Sequence, residues 1–237
     1  MSKGIFITGT DTGVGKTVIS CALAALLNKR LVNTGVMKPI ETGCNYKKGE
    51  LFPKDAANLK TYSKTSDRLE DISPCRFKSP LAPMAASIVE GKKVNLKKIK
   101  ISFEHIKRIH DFLIIEGIGG LLVPITKNFL VSDLIKSFNL PVIIVCHPGL
   151  GTLNHTLLTF REAKRSNLKI KGLVINNYDY KSRNIAYRTN PKIIENLLKP
   201  EFIILFPKLK NIRYDSLLNA AEKHLNKAAD ILLKNGK

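Results

Sequence analysis

Gly9-Thr10-Asp11-Thr12-Gly13-Val14-Gly15-Lys16-Thr17 is the stretch on which the reading of this chain turns. It follows the apolar run Ile5–Thr8 and leads into the helix-length segment Val18–Leu27. A strand, a glycine-rich turn closing on Gly-Lys-Thr, and a helix make up the phosphate-binding P-loop, G-x-x-x-x-G-K-[ST]. Gly15-Lys16-Thr17 is intact, while the first glycine stands one residue early at Gly9, with Thr10 in the expected place. The shift leaves the physics unchanged, because backbone N–H groups of the loop and the positive end of the helix dipole cradle phosphate oxygens. Lys16 then reaches the β- and γ-phosphates, and the Thr17 hydroxyl completes the coordination of Mg2+. A glycine-rich turn that merely caps a helix is the alternative reading. An intact Gly-Lys-Thr between strand and helix speaks against it.

Outward from this loop, short apolar runs alternate with helical patterns. Strands are expected at Ile5–Thr8, Thr34–Met37, Phe112–Ile115, Val142–Cys146, Gly172–Ile175 and Phe202–Phe206, and helices at about 16–28, 54–62, 94–109, 130–137, 152–166, 190–198 and 214–234. Such alternation signals βαβ units, and strands apolar on both faces belong to a mostly parallel sheet covered by helices on both sides. The expected fold class is α/β, P-loop NTPase-like. No repeat and no Gly/Ser-rich linker divides the chain, so residues 1–237 read as a single domain. In open α/β sheets ligands gather beyond the carboxyl ends of the strands. The residues closing the strands are therefore the candidates: Lys38-Pro-Ile-Glu-Thr42-Gly43, Glu116-Gly-Ile-Gly-Gly120, Cys146-His-Pro-Gly-Leu-Gly-Thr-Leu-Asn154 and Asn176-Asn177.

The bulk properties narrow the class without naming a function. The chain has 237 residues, 44% hydrophobic and 24% charged, which suits a soluble globular protein with a sizeable core. No segment reaches the ~18 consecutive apolar residues of a membrane span. The start of the chain is too briefly apolar for a signal peptide. Cys21, Cys44, Cys75 and Cys146 are scattered without a C-x-x-C pair, so neither a zinc site nor a disulfide framework is suggested, and the cytoplasm is the expected location. Lys and Arg number 39 against 19 Asp and Glu, a formal charge of +20. That excess invites a nucleic-acid reading, yet it is mostly lysine and spread from Lys3 to Lys237. A solvated lysine surface accounts for it.

Taken together the motifs resemble the dethiobiotin synthetase family. The resemblance rests on G-T-D-T-G-V-G-K-T at 9–17, K-P-I-E-T-G at 38–43 and E-G-I-G-G at 116–120. L-P-V-I-I-V at 140–145, L-G-T-L-N-H at 150–155 and V-I-N-N at 174–177 extend it, in the family's order over about residues 1–210. It implies an ATP- and Mg2+-dependent cyclo-ligase of biotin synthesis. One amine of 7,8-diaminononanoate takes up CO2 as a carbamate, ATP phosphorylates the carbamate, and the second amine closes the ring.

By the same resemblance, Thr12, Gly13, Val14, Gly15, Lys16 and Thr17 hold the triphosphate, joined by Gly117 and Gly119, with Thr12 facing substrate as well. Lys16, Lys38 and Thr12 would serve catalysis, Lys38 by holding the carbamate. Thr17, Asp55 and Glu116 would bind the metal as hard oxygen ligands. Asp55 could otherwise be a first-turn helix acid favoured by the dipole. Asn176, with Asn177, sits where the family reads adenine, whose N6 and N7 match an amide side chain; the alternative is a strand-ending turn residue. Pro207, Lys208 and Leu209 resemble the segment that covers the base. Thr42 and Pro80 would contact the diamine, against the plainer reading of a turn and a Pro-rich connection. Gly151 and Asn154, at a helix start suited to an anion, and Tyr187 would come from the neighbouring subunit of a homodimer. A plain helix cap and a half-buried surface ring are the alternatives there.

Two other classes share parts of this pattern. Partition-type ATPases carry K-G-G-x-G-K-[ST], with a second lysine where Asp11 stands here. A cobyrinate-type amide synthetase would need a glutamine-hydrolysing domain, for which this chain has neither motif nor room. Neither a nucleic acid nor a membrane is expected as a partner.

Overall fold

The computed structural model describes residues 3–234. The chain enters along β1 (Lys3–Gly9), turns through the glycine-rich loop into α1 (Lys16–Lys29) and returns as β2 (Thr34–Met37). A run of small elements follows: β3 (Ile40–Glu41), a hairpin of β4 (Asn45–Lys47) and β5 (Glu50–Phe52), α2 (Lys54–Ser63), α3 (Leu69–Ile72), β6 (Cys75–Arg76) and α4 (Pro83–Glu90). α5 (Leu96–Ile109) leads into β7 (Phe112–Glu116), and a hairpin of β8 (Pro124–Thr126) and β9 (Phe129–Leu130) into α6 (Val131–Phe138). Regular alternation resumes with β10 (Val142–Cys146), α7 (Thr152–Arg165), β11 (Ile170–Tyr178), α8 (Ile185–Leu198) and β12 (Phe202–Pro207). The described chain ends with α9 (Tyr214–His224) and α10 (Asn226–Lys234).

Six strands form one parallel sheet in the order β12-β11-β10-β1-β7-β2. β1 and β10 are neighbours inside it, and the chain leaves them in opposite directions, from β1 through α1 to β2 and from β10 through α7 to β11. That divergence opens the crevice in which α/β sheets bind ligands. Alternation along β1 divides the core: Ile5 and Ile7 face the side packed by α1 and α9, and Phe6 faces the side packed by α5 and α6. Phe6 is wholly buried, and its loss would cost about 3–5 kcal/mol.

All six expected strands are present, most of them longer than expected. β11 runs on past Ile175 to Tyr178, which pairs with Pro207 after a register shift. Asn176 and Asn177 therefore lie within the strand rather than after it. α8 begins at Ile185, five residues before the expected helix at 190–198, and carries Pro191 in its interior. Proline lacks the N–H that would bond the carbonyl of Tyr187; the Tyr178 hydroxyl donates to that carbonyl instead, at 2.9 Å. The expected helix 214–234 is broken at Leu225 into α9 and α10. Pro83 starts α4, so only the first part of the Pro-rich segment 79–83 is loop. Residues 1, 2 and 235–237, which belong to the single-domain reading, lie outside the described residues. Among the described residues no helix is long and apolar enough to cross a membrane.

Candidate active site

The glycine-rich loop carries β1 into α1 with Gly15 at the N-cap, φ +92°, and no side chain capping the helix. The first N–H groups of α1 are thus left to a ligand, as an anion site requires. A side chain at Gly15 would be strained by its φ and would also collide with the Asn176 amide, which closes over the loop. Val14 is buried beneath. The Lys16 ammonium spans the loop to the Asp11 carbonyl, at 2.9 Å. Burial, and then the charge of Lys38, lower its pKa to about 8.

Lys38 and Glu116 come from the ends of neighbouring strands, β2 and β7, which pair in parallel register. Lys38 Nζ lies 2.6 Å from Glu116 Oε1, 3.0 Å from the Gly117 carbonyl and 3.4 Å from Asp55 Oδ2. Burial works against a charged lysine, but the Glu116 and Asp55 carboxylates outweigh it and hold the ammonium charged above the ordinary lysine range. The Thr17 hydroxyl donates to the same Glu116 Oε1 at 2.7 Å. Glu116 Oε2 is buried with no hydrogen-bond partner among the described residues. An acceptor so placed is costly unless a ligand completes it.

Thr12, Gly13, Gly15, Lys16, Thr17, Lys38, Glu41, Thr42, Asp55, Glu116, Ile118 and Gly119 line one cavity of about 270 Å³. The expected phosphate, metal and carbamate residues therefore meet. Pro80 lies against Gly43, beside Thr42. Asn176 is buried in β11 and donates from Nδ2 to the Val14 carbonyl at 2.9 Å, while its Oδ1 has no partner among the described residues. Its amide thus holds the loop. Lys208 is exposed, and its backbone N–H bonds the Tyr178 carbonyl at 3.1 Å, which places Pro207–Leu209 beside the end of β11. Gly151, Asn154 and Tyr187 are not among the residues lining the cavity. Gly151 caps α7 with φ +87°, Asn154 is exposed, and the ring of Tyr187 packs 5.8 Å from that of Tyr178.

Two lining residues had no role in the sequence reading. Ile118 supplies an apolar wall. Glu41, inside the quoted K-P-I-E-T-G run, is buried and accepts the Asp55 and Ala56 N–H groups at 2.8 and 3.0 Å. Burial pushes its carboxyl up to about 7 against those two bonds. Its position within a phosphate-site motif was the available signal, but sequence does not reveal a partner 14 residues away.

Residues 3–213 match the AAA domain family. The ATP-dependent dethiobiotin synthetase of Thermodesulfovibrio yellowstonii is 39% identical over 98% of this chain and 100% of its own. That of Bacillus subtilis (strain 168) is 42% identical over 94% of this chain and 95% of its own. The chain belongs to the dethiobiotin synthetase family. The ATP-dependent dethiobiotin synthetase of Methanocaldococcus jannaschii is 39% identical over 89% of this chain and 97% of its own. Among solved structures, the septum site-determining protein MinD of Pyrococcus horikoshii, complexed with Mg-ADP, superposes with a TM-score of 0.62 over 98% of this chain and 99% of that one, at 16% identity. A ParA family ATPase of Chlorobium tepidum gives 0.56 over 94% of this chain and 99% of its own, at 13% identity. Those likenesses show the P-loop NTPase-like fold, and nothing of activity.

Proposed function

We propose that the chain, as one catalytic domain over residues 1–237 in the cytoplasm, converts 7,8-diaminononanoate, CO2 and ATP into dethiobiotin, ADP and phosphate. One amine adds to CO2 and loses a proton to give a carbamate. A carbamate oxygen attacks the γ-phosphorus and ADP leaves. The second amine then attacks the carbonyl of the mixed anhydride, phosphate departs with the C–O bonding pair, the amine gives up a proton, and the cyclic urea is complete.

The observation that carries this reading is the Lys38 ammonium, buried beside two carboxylates in the same cavity as Lys16 and the α1 N-terminus. A cation there suits an anionic carbamate brought up to a triphosphate, where like charges must be held together. Lys38 binds the carbamate and follows its charge onto the transferring phosphoryl group. Lys16 and the loop N–H groups hold the β- and γ-phosphates. Thr12 and Thr42 orient the reacting groups, with Pro80 shaping the wall behind Thr42. The work is positioning and charge neutralisation, which suffices for phosphoryl transfer.

Thr17, Asp55 and Glu116 offer a hydroxyl and two carboxylates, and the unpartnered Glu116 Oε2 is an oxygen suited to a hard cation. Among the described residues no group of three or more His, Cys, Asp or Glu could hold a metal. A hydroxyl and two carboxylates fit Mg2+, which is commonly held by one or two carboxylates together with phosphate oxygens. When bound, the ion neutralises charge on the triphosphate.

Asn176, Asn177 and Pro207–Leu209 frame the adenine. Gly151, Asn154 and Tyr187 would complete the diamine site of a neighbouring subunit in a homodimer. In support, Leu150, Leu158, Ile185 and Leu197 expose apolar side chains on or beside α7 and α8.

The test is a coupled assay with purified protein. ADP release should require diamine and bicarbonate together, with dethiobiotin detected by mass. Diamine-independent hydrolysis stimulated by DNA would overturn the proposal.

A further inference from the structure

α2 begins without a cap of its own. Its N-cap is Pro53, which has no side-chain acceptor, and Lys54, Asp55 and Ala56 expose N–H groups that need partners. The Glu41 carboxylate supplies two acceptors at once: Oε1 takes the Asp55 N–H at 2.8 Å and Oε2 the Ala56 N–H at 3.0 Å. Glu41 is itself fixed from behind. β3 pairs in parallel with β6, and the Glu41 carbonyl accepts the Phe77 N–H at 2.9 Å. Its side chain is buried, so water competes weakly for these bonds.

The first turn of α2 is also where Asp55 sits, its Oδ2 3.4 Å from Lys38 Nζ. The β4–β5 hairpin, whose β4 residues are exposed, separates Glu41 from α2 in sequence. That connection gives little reason for α2 to start at one place relative to β2. The carboxylate clamp does.

We infer that Glu41 is a positioning residue: by capping α2 across the cavity, it sets the first turn so that the Asp55 carboxylate faces Lys38 and the triphosphate site. This inference rests on the proposed role of Asp55. Glu41 itself need touch neither substrate nor metal. Its two oxygens point at backbone, and a carboxylate placed there adds a favourable charge to the helix dipole. A merely structural residue would affect stability. A positioning residue must act through Asp55.

The experiment is a double-mutant cycle of Glu41→Ala and Asp55→Ala, with Glu41→Gln as the conservative variant and residue-resolved amide hydrogen exchange on the protein without nucleotide or Mg2+. In Glu41→Ala, exchange at the Asp55 and Ala56 amides should accelerate roughly fivefold or more, while amides later in α2 hold. Its kcat should fall about tenfold or more, and its half-saturating Mg2+ should rise. Glu41→Gln keeps one carbonyl acceptor and should recover part of both losses, which guards against an alanine variant that folds poorly. In the Asp55→Ala background, Glu41→Ala should cost less than about threefold further. Additive losses in the double variant, or unchanged exchange at Asp55 and Ala56, would overturn the inference. Full activity of Asp55→Ala alone would instead remove the proposed role of Asp55, with exchange still deciding whether Glu41 holds the turn.

Discussion

The Lys38 ammonium is paired with Glu116 and Asp55, so its removal has two consequences at once. In Lys38→Met, Glu116 stays buried without its cation, and stability should fall by about 3–5 kcal/mol, read by urea unfolding. The carbamate also loses its counter-charge. kcat should drop by about 10²–10³ while nucleotide binding survives, and a variant with full turnover would exclude Lys38 from the chemistry. Lys16 sets a pH dependence of a different kind. A lysine lowered to about 8 is charged below that pH and neutral above it. The dissociation constant for ATP should therefore be flat below pH 8 and rise above it, because linkage reports the pKa of the free protein. Titration with a fluorescent ATP analogue gives the profile; a constant unchanged up to pH 10 would assign phosphate binding to the backbone alone. These residues were legible because each belongs to a compact motif beside a strand end. Glu41 was not, since its partners are backbone groups of another element.

Elements decide whether those residues can meet. The start of α1 depends on Gly15, where positive φ and the approach of Asn176 leave no room for a side chain. Gly15→Ala should abolish ATP binding by calorimetry while the far-ultraviolet circular dichroism stays native. Far from the cavity, α5 is tied to the loop after α2: His110 Nε2 lies 2.8 Å from Asp67 Oδ2, and its Nδ1 lies 2.7 Å from Asn33 Oδ1. Burial alone would raise the Asp67 carboxyl, but hydrogen bonds from His110 and Thr65 outweigh it and hold the pKa below the ordinary carboxylate value. A depressed carboxylate contributes stability above its unfolded pKa of about 3.9 and loses it as pH falls through the folded value. Tm should thus fall more steeply below about pH 4 in the native protein than in Asp67→Asn. Equal slopes would mean that the pair contributes nothing. The short elements between β2 and α5 were not legible beforehand. Two- and three-residue strands carry no period of their own: β3 and β6 form only where packing brings Ile40 beside Cys75, and β4 and β5 only as the two arms of one hairpin.

At the scale of the whole molecule, Gly151, Asn154 and Tyr187 stand apart from the residues that line the cavity of their own chain. A site shared between two copies makes a prediction that no single chain can meet. Mixing Lys16→Ala with Asn154→Ala subunits should restore activity above that of either alone, because some heterodimers regain one intact site. No recovery despite demonstrated heterodimers would mean that each site is self-contained. The +20 charge belongs to this scale too. Of its sources, Lys16 and Lys38 have places in the cavity and Lys171 is buried against Glu201, while many of the other lysines among the described residues are exposed and can speed encounter with anionic ATP.

The sequence by itself determined the alternation of strands and helices, the phosphate loop, and the family, because these depend on local period, local turn chemistry and contiguous motifs. Tertiary structure alone decided that Glu41 caps α2, that Asn176 lies inside β11 and holds Val14, and that the Tyr178 hydroxyl answers the carbonyl left by Pro191. Each of those facts is a hydrogen bond between groups that only packing brings together. A buried polar group must find a partner, and neither composition nor spacing says which one the fold will put within reach.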